Sequence, residues 1–194
     1  MVDYSIGKKN ELELNILSKS RLDSNDKTIS VGSTMDGGVS FDDYEFVKNY
    51  KNIRVKEVLL GDDELYFKGI HFIYEVDGET VSPGPHAVYT NAGAGMITDS
   101  SGKVITERRL ILEEDEYIKE IVIRAGAIID RCTLITNKGN FISSGGNGGS
   151  PVYYVAPEGF QFISCEGTVL GKNNYNYWTT VHSLSFKADT IIKE

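Results

Sequence analysis

The sequence predicts an all-β domain. Short runs of β-branched and aromatic residues are separated by turn signals such as Asp77-Gly78 and Asn137-Lys138-Gly139, and this spacing is typical of a sandwich or barrel-like fold. No segment keeps a helical hydrophobic period over two turns. Loops of small residues recur about fifty residues apart, at Gly37-Gly38, Ala92 to Gly95 and Gly145 to Gly149, as expected of a supersecondary unit that stacks with copies of itself to bury a core.

Length and charge narrow the class of protein. The 194 residues suffice for about one domain with a sizeable core. The formal net charge of −8 disfavours nucleic acid and anionic membrane surfaces as partners, because the protein repels phosphates. No apolar run approaches the roughly 18 residues of a membrane span, and the polar start Met1-Val2-Asp3-Tyr4 does not resemble a secretory signal. We therefore expect no membrane insertion, and a location in the cytoplasm or release without a conventional signal peptide.

The first 26 residues form a polar extension of unknown role. They are rich in Lys, Asn, Ser and Glu, and their only apolar patch is Leu12, Leu14, Ile16 and Leu17, of which the first three alternate with polar residues. This alternation favours an added edge strand, with a short helix as the alternative. The predicted domain follows at residues 27–190.

Within the domain, strands and turns alternate along the chain. Asp77-Gly78 predicts a hairpin turn, and the prolines in Val81 to Pro85 predict a break in the sheet. The polar loop Gly171 to Asn174 leads into a predicted turn, Asn176 to Thr180. The predicted strands are Thr28 to Gly32, Ile53 to Leu60, Gly69 to Val76, Val104 to Leu112, Tyr117 to Arg124, Asp130 to Thr136, Val152 to Val155, Gln161 to Glu166 and Val181 to Phe186.

The stretch from Gly126 to Gly149 carries the main functional signal. Asp130 stands at the start of a predicted strand, after a glycine that lets the backbone bend tightly. The run Gly145 to Gly149 has almost no side chains, so a ligand can approach its backbone N–H groups closely. An ionised aspartate only accepts hydrogen bonds, whereas amides donate them. Together they suit a neutral polyol, whose hydroxyls each donate and accept.

The order GAIID, CTLITNKG and GGNGGSP resembles the jacalin-related lectins, in which a Gly-x-x-x-Asp turn and a Gly-Gly loop hold one sugar ring. The run Val39 to Asp43 also resembles the Phe-Asp-Asp run after the first Gly-Gly loop of that family. The resemblance covers roughly residues 27 to 188. It implies a β-prism I fold, with three Greek-key four-stranded sheets around a pseudo-threefold axis, and sugar binding that needs neither metal nor cofactor.

The resemblance also implies which residues contact sugar. The intact site combines Asp130, as acceptor for two ring hydroxyls, with backbone amides as donors; its residues are Gly126, Ile128, Ile129, Asp130, Gly148 and Gly149. A second, weaker site comprises Gly37, Gly38, Asn176, Tyr177, Trp178 and Thr180. There Asn176 replaces the family's glycine and Thr180 its aspartate, and a neutral hydroxyl makes weaker hydrogen bonds than a carboxylate. In the remaining unit Lys68 stands where some relatives carry the aspartate, so we expect that site to be lost.

These residues also have purely structural interpretations. Asp130 can cap a turn, the glycine loop can be merely flexible, and Trp178 can pack in the core or at its rim. Cys132 and Cys165 are predicted to be buried free thiols, while a disulfide between them is left open. No metal site is predicted, because the three histidines, His71, His86 and His182, are scattered.

We expect a lectin for mannose- or glucose-type sugars, with glycans or glycoproteins as partners. Affinity for one ring should be weak, so several sites or a homo-oligomer would supply useful binding. The alternative is a β-prism protein-interaction or structural module that has lost sugar binding, with the extension as its docking arm. An enzyme is not expected. Gly-x-Ser-x-Gly and Walker patterns are absent, and Asp42-Asp43 and Asp62-Asp63 are adjacent pairs whose members diverge in an extended chain.

Overall fold

Fourteen strands, one short α-helix and one 3₁₀ turn form the regular structure of this computed structural model, which describes residues 6–12, 19–21, 28–32, 38–87, 103–172 and 178–191. Among these residues, none of the helical segments has the length and apolar character of a transmembrane span. The strands are β1 (Ile6–Lys8), β2 (Lys19–Arg21), β3 (Thr28–Gly32), β4 (Val39–Asp42), β5 (Ile53–Asp62), β6 (Phe67–Val76), β7 (Glu79–Val81), β8 (Thr106–Ile111), β9 (Ile118–Ala125), β10 (Ile129–Thr136), β11 (Asn140–Gly145), β12 (Ser150–Val155), β13 (Phe160–Lys172) and β14 (Trp178–Thr190).

Twelve of the strands form three four-stranded antiparallel sheets. The second sheet has the order β7-β6-β5-β8 and the third the order β12-β9-β10-β11, so each is a Greek key. The first sheet has the order β4-β13-β14-β3. It contains the last two strands and two strands from the start of the chain, and it matches the other sheets if β13 and β14 are taken as its first two strands and β3 and β4 as its last two. Phe162 and Ile118 form a backbone pair between the first and third sheets. The predicted β-prism of three Greek-key sheets is confirmed.

The inward faces of the three sheets enclose one apolar core. Leu60 of the second sheet, Ile121 of the third and Phe186 of the first are fully buried in it. The rings of Phe72 and Phe162 lie 6.3 and 6.5 Å from the ring of Phe186, measured between centroids. Burial of each such ring stabilises the fold by roughly 1.5–3 kcal/mol, so the core ties all three sheets together.

The N-terminal extension adds two short strands to the edges of the third sheet. β1 pairs antiparallel with β11, and β2 pairs in parallel with β12. The edge strand predicted at Leu12 is wrong, because Leu12 follows the 3₁₀ turn Lys9–Glu11; Leu14 and Ile16 lie outside the described residues. A strand of three residues is too short to produce an alternating pattern, which explains why neither was predicted.

The last two strands, β13 and β14, are longer than predicted. Each has 13 residues, and β4 and β3 pair along their outer sides. Trp178 pairs with Lys172 and Thr180 with Leu170. The predicted turn from Asn176 to Thr180 is therefore wrong from Trp178 onward, where the chain has already entered β14. The sequence from Asn176 to Thr180 does not show that β13 extends far enough to pair with it, and this pairing makes Trp178 to Thr180 a strand.

A helix that was not predicted, α1 (Asp43–Val47), follows β4. The Asp42 carboxylate caps it by accepting hydrogen bonds from the N–H groups of Tyr44 and Glu45, at 2.8 and 3.2 Å. The sequence does contain the signal, because Asp42 at the N-cap is followed three residues later by Glu45. Five residues are too few for a detectable helical period.

Asp43 is the centre of a buried polar cluster. It is fully buried, and its carboxylate accepts a hydrogen bond from the Tyr74 hydroxyl at 2.8 Å. The Nε2 atom of His86 lies 2.5 Å from the same carboxylate, and the thiol of Cys165 lies 3.4 Å from it. Burial raises the pKa of Tyr74, and the negative charge of Asp43 adds to this effect. The cluster therefore connects α1 to two sheets and to the segment that contains His86.

The two cysteine thiols are expected to be unreactive in the native protein. Cys132 and Cys165 are free and buried, and burial raises the pKa of both, so little thiolate forms at neutral pH. Iodoacetamide should modify neither thiol in the folded chain and both in denaturant, as measured by mass spectrometry. Modification of either thiol within minutes under native conditions would contradict this packing.

Candidate functional site

A β-bulge places Asp130 at the mouth of the third sheet. Ile129 pairs with Ala125 and Arg131 pairs with Arg124, so Asp130 is the extra residue of β10 between them. The turn before it is closed by a hydrogen bond from Gly126 N–H to the Ile128 carbonyl, at 3.0 Å. A bulge changes the direction of a side chain relative to the regular pleat. The Asp130 side chain consequently faces the loop between β11 and β12.

That loop, Gly145 to Gly149, lies directly against the Asp130 carboxylate. A Cβ atom added to Gly148 would lie 2.3 Å from Oδ1 of Asp130, and one added to Gly149 would lie 2.6 Å from Oδ2. Gly145 and Gly149 have φ values of +114° and +58°, which side chains with a Cβ disfavour. Glycine is therefore required for the close approach at Gly148 and for the path of the loop on either side of it.

Asp130 is a largely buried residue whose carboxylate oxygens have no hydrogen-bond donor among the described residues and still reach solvent. The residue is only 7% exposed. In the described part of the chain, no hydrogen bond or ion pair reaches its carboxylate oxygens. Buried carboxylates in proteins usually accept hydrogen bonds, because an unpaired buried charge is costly. This arrangement leaves the acceptor available to an external donor.

The glycine loop supplies donors beside this acceptor. Gly145 and Gly146 use their N–H groups internally, toward Asp62 Oδ2 at 3.1 Å and the Asp130 carbonyl at 3.0 Å. The N–H groups of Asn147 and Gly148 have no acceptor among the described residues, and both residues are exposed. The loop therefore offers two amide donors next to a carboxylate acceptor.

Two arginines hold the loop from the neighbouring strands. Arg124 donates from Nε to the Gly148 carbonyl at 2.8 Å and from Nη2 to the Gly149 carbonyl at 2.9 Å. Arg131 donates from Nε to the Gly145 carbonyl at 3.1 Å. Burial, followed by the positive charge of Arg124, lowers the pKa of Arg131. These contacts engage three carbonyl groups of the loop, and no sequence pattern predicted them.

Asp62, at the end of β5, links the second sheet to the base of the loop. It is 1% exposed and accepts hydrogen bonds from Ser144 Oγ at 2.6 Å and from Gly145 N–H at 3.1 Å. It also forms an ion pair with Arg108. Ser144 lies 82 residues from Asp62 in the chain, so no local sequence pattern could have predicted the pairing.

The residues predicted for the intact site differ in exposure and in their distance from the Asp130 carboxylate. Gly126 is exposed, and a Cβ atom added there would lie 3.8 Å from Asp130 Oδ2. Ile128 is half-buried, whereas the side chain of Ile129 is fully buried in the core. Ile129 can therefore contribute only its backbone. Among the glycines of the group, Gly148 is the one whose added Cβ atom would come closest to the Asp130 carboxylate.

The other two predicted positions are described only in part. Gly37, Asn176 and Tyr177 of the weaker site lie outside the described residues, as do the side chain of Trp178 and the loop from Ala92 to Gly95. Val39 pairs with Val169, and Thr180 pairs with Leu170. Strand β13 thus lies between Gly38 and Thr180 and separates them by two strand spacings, about 10 Å. At the third position Lys68 is 6% exposed, and its ammonium lies 3.4 Å from an Asp63 carboxylate oxygen.

A cavity of about 880 Å³ lies near the start of β5 and the turn before β9, away from Asp130. Its lining includes Arg54, Glu75 and the turn from Glu114 to Tyr117. Arg54 and Glu75 pair with each other at 3.1 Å, so their charges are already compensated. Across the described ranges, no group of three or more His, Cys, Asp or Glu residues could hold a metal ion.

Comparison with known proteins identifies the family. The profile of the jacalin-like lectin domain matches residues 30–172, which is more than half of the chain. The chain belongs to the jacalin-like lectin family. This membership supports carbohydrate binding as the general function of the domain. No curated protein matches the sequence of this jacalin-like protein.

Solved structures share the fold at low sequence identity. Recombinant single-chain jacalin has a TM-score of 0.59 at 18% identity, covering 87% of this chain and 98% of jacalin. A mannose-specific jacalin-related lectin from Morus nigra, in complex with mannose, has a TM-score of 0.57 at 16% identity, covering 89% of this chain and 100% of that lectin. A galactose-specific lectin from Artocarpus hirsuta, in complex with methyl-α-D-galactose, has a TM-score of 0.55 at 18% identity, covering 78% of this chain and 98% of that lectin. At these identities the similarity concerns the fold.

Proposed function

We propose that this jacalin-like protein is a lectin that binds one sugar ring between Asp130 and the loop Gly145 to Gly149, without a metal and without catalysis. The observation that carries the proposal is the Asp130 carboxylate, which is 7% exposed, has no hydrogen-bond donor in the described part of the chain and faces a glycine loop. A ligand rich in hydroxyl groups can use both the acceptor and the adjacent donors, because each hydroxyl donates and accepts.

In this proposal each group has a role. Two neighbouring ring hydroxyls donate to the two oxygens of Asp130, and these bonds are charge-assisted and therefore strong. The N–H groups of Asn147 and Gly148 donate to sugar oxygens. Both of these loop residues are exposed, so the site is shallow, and useful affinity comes from several sites or subunits acting together.

We further propose mannose- or glucose-type sugars as the ligands. This proposal rests on the family resemblance, and one of the compared lectins is mannose-specific. Another is galactose-specific, so the choice needs a direct test. A glycan array that presents terminal mannose, glucose and galactose should give its strongest signals with the first two. A preference for galactose would overturn this sugar class and leave the site assignment intact.

The site is tested by comparing Asp130→Asn with the wild type on the same array. This change keeps the shape and removes the charge, so binding should weaken about 10- to 100-fold. Asp115→Asn is the matched control, because the Asp115 side chain is 78% exposed in a turn beyond the opposite end of the third sheet; it should bind as the wild type does. Circular dichroism verifies that both variants are folded.

Other outcomes have definite meanings. Binding that survives in Asp130→Asn would place the site elsewhere, with Gly38, Trp178 and Thr180 as the next candidates. Absence of binding by the wild type at high glycan density would contradict the lectin proposal. It would favour a β-prism module whose partner is a protein.

A further inference from the structure

The third sheet is apolar on both faces. Its inward residues belong to the main core, whereas Val122, Ile135, Phe141 and Tyr153 form a separate cluster. None of these four residues is more than 7% exposed. The outward face of an antiparallel sheet commonly contacts water. In this protein, part of the chain must cover it.

The N-terminal extension supplies part of that cover. Leu12 packs against the outward cluster. β1 adds to β11, with Gly7 opposite Phe141, and β2 adds to β12, with Lys19 opposite Tyr153. Because β11 and β12 are the two edge strands of the third sheet, the extension occupies both of its edges.

Lys9 fastens the extension to the sheet through its backbone and its side chain. Its N–H group donates to the Gly139 carbonyl at 2.7 Å. Its ammonium group forms an ion pair with Glu120, which also accepts a hydrogen bond from the Tyr153 hydroxyl. The Glu120 side chain is 14% exposed, so this ion pair is screened less by water than a surface pair is.

We propose that residues 6–12 and 19–21, here called the strap, cover part of the outward face and both edges of the third sheet and thereby prevent a second copy of this chain from docking there. Without the strap, the sheet would present an apolar patch flanked by two unpaired strand edges, which is a template for association. A second copy with its strap released carries the same surface, and two identical patches can pair around a twofold axis. Release of the strap therefore converts the chain into a self-associating form.

Full-length Leu12→Asp tests the proposal, because the new charge would have to lie against the apolar cluster. Hydrogen exchange in β11 and β12 should become about tenfold faster, and the mass measured by sedimentation should rise with protein concentration. Ile6→Asp is the matched control: it makes the same kind of change in the strap at a side chain that is 45% exposed. It should exchange and sediment as the wild type does.

A second variant, Lys9→Glu, releases the strap by placing two negative charges together and leaves the apolar residues unchanged. It should reproduce both effects if Leu12→Asp fails to fold. Faster exchange without any rise in mass would overturn the proposed self-association. Unchanged exchange in both variants would show that Leu12 and Lys9 do not hold the strap, and would overturn the proposal at its first step.

Discussion

Gly148→Ala should abolish most sugar binding while leaving the fold intact. The added Cβ would lie 2.3 Å from Asp130 Oδ1, and its three nearest atoms all belong to the Asp130 side chain. A Cβ atom cannot lie this close to an oxygen atom, and the obstructing group is the end of a side chain, so the carboxylate must move. Loss of its aligned hydrogen bonds should weaken binding at least about tenfold. Calorimetric titration with the glycan that the wild type binds best measures this change.

Gly126→Ala, on the other side of the carboxylate, is the comparison for carboxylate movement. Its Cβ would lie 3.8 Å from Asp130 Oδ2, an ordinary van der Waals contact that leaves the carboxylate in place, so affinity should fall less than in Gly148→Ala. Thermal unfolding should show similar stability for both variants. If Gly148→Ala binds as tightly as the wild type, the position of the Asp130 carboxylate does not determine binding.

Asp62→Ala should cause a large loss of stability. The substitution removes the acceptor of Ser144 and Gly145 and leaves the Arg108 guanidinium, which is 17% exposed, without its partner. Breaking a buried pair on one side costs about 3–5 kcal/mol. In a domain of this size that loss lowers the melting temperature by roughly 6–20 °C. Denaturant unfolding at 25 °C measures the free energy directly.

Two further variants identify the cause of this loss. Glu114→Ala removes an exposed carboxylate and should change the free energy of unfolding by less than about 0.5 kcal/mol. Adding Arg108→Ala to Asp62→Ala removes the uncompensated charge, so the double variant should be at least as stable as Asp62→Ala alone. A loss below about 1 kcal/mol in Asp62→Ala would mean that the ion pair contributes little net stability.

The candidate site was only partly predictable. The turn before Asp130 and the loop Gly145 to Gly149 depend on short-range backbone requirements, which glycine and aspartate display directly in the sequence. The bulge at Asp130 and the hydrogen bonds from Arg124 to the loop depend on how β9 and β10 pair. A shift of one residue in that register would turn these side chains to the other face.

The sequence by itself determined the all-β class and the order of most strands in the domain, because alternation and turn chemistry are properties of neighbouring residues. Family resemblance added the prism. Only the tertiary structure decided that β1 and β2 close the two edges of the third sheet, that Trp178 begins β14 and that Asp62 supports the loop. These contacts join residues that are distant in the chain, so their formation depends on sheet register and on the burial of charge.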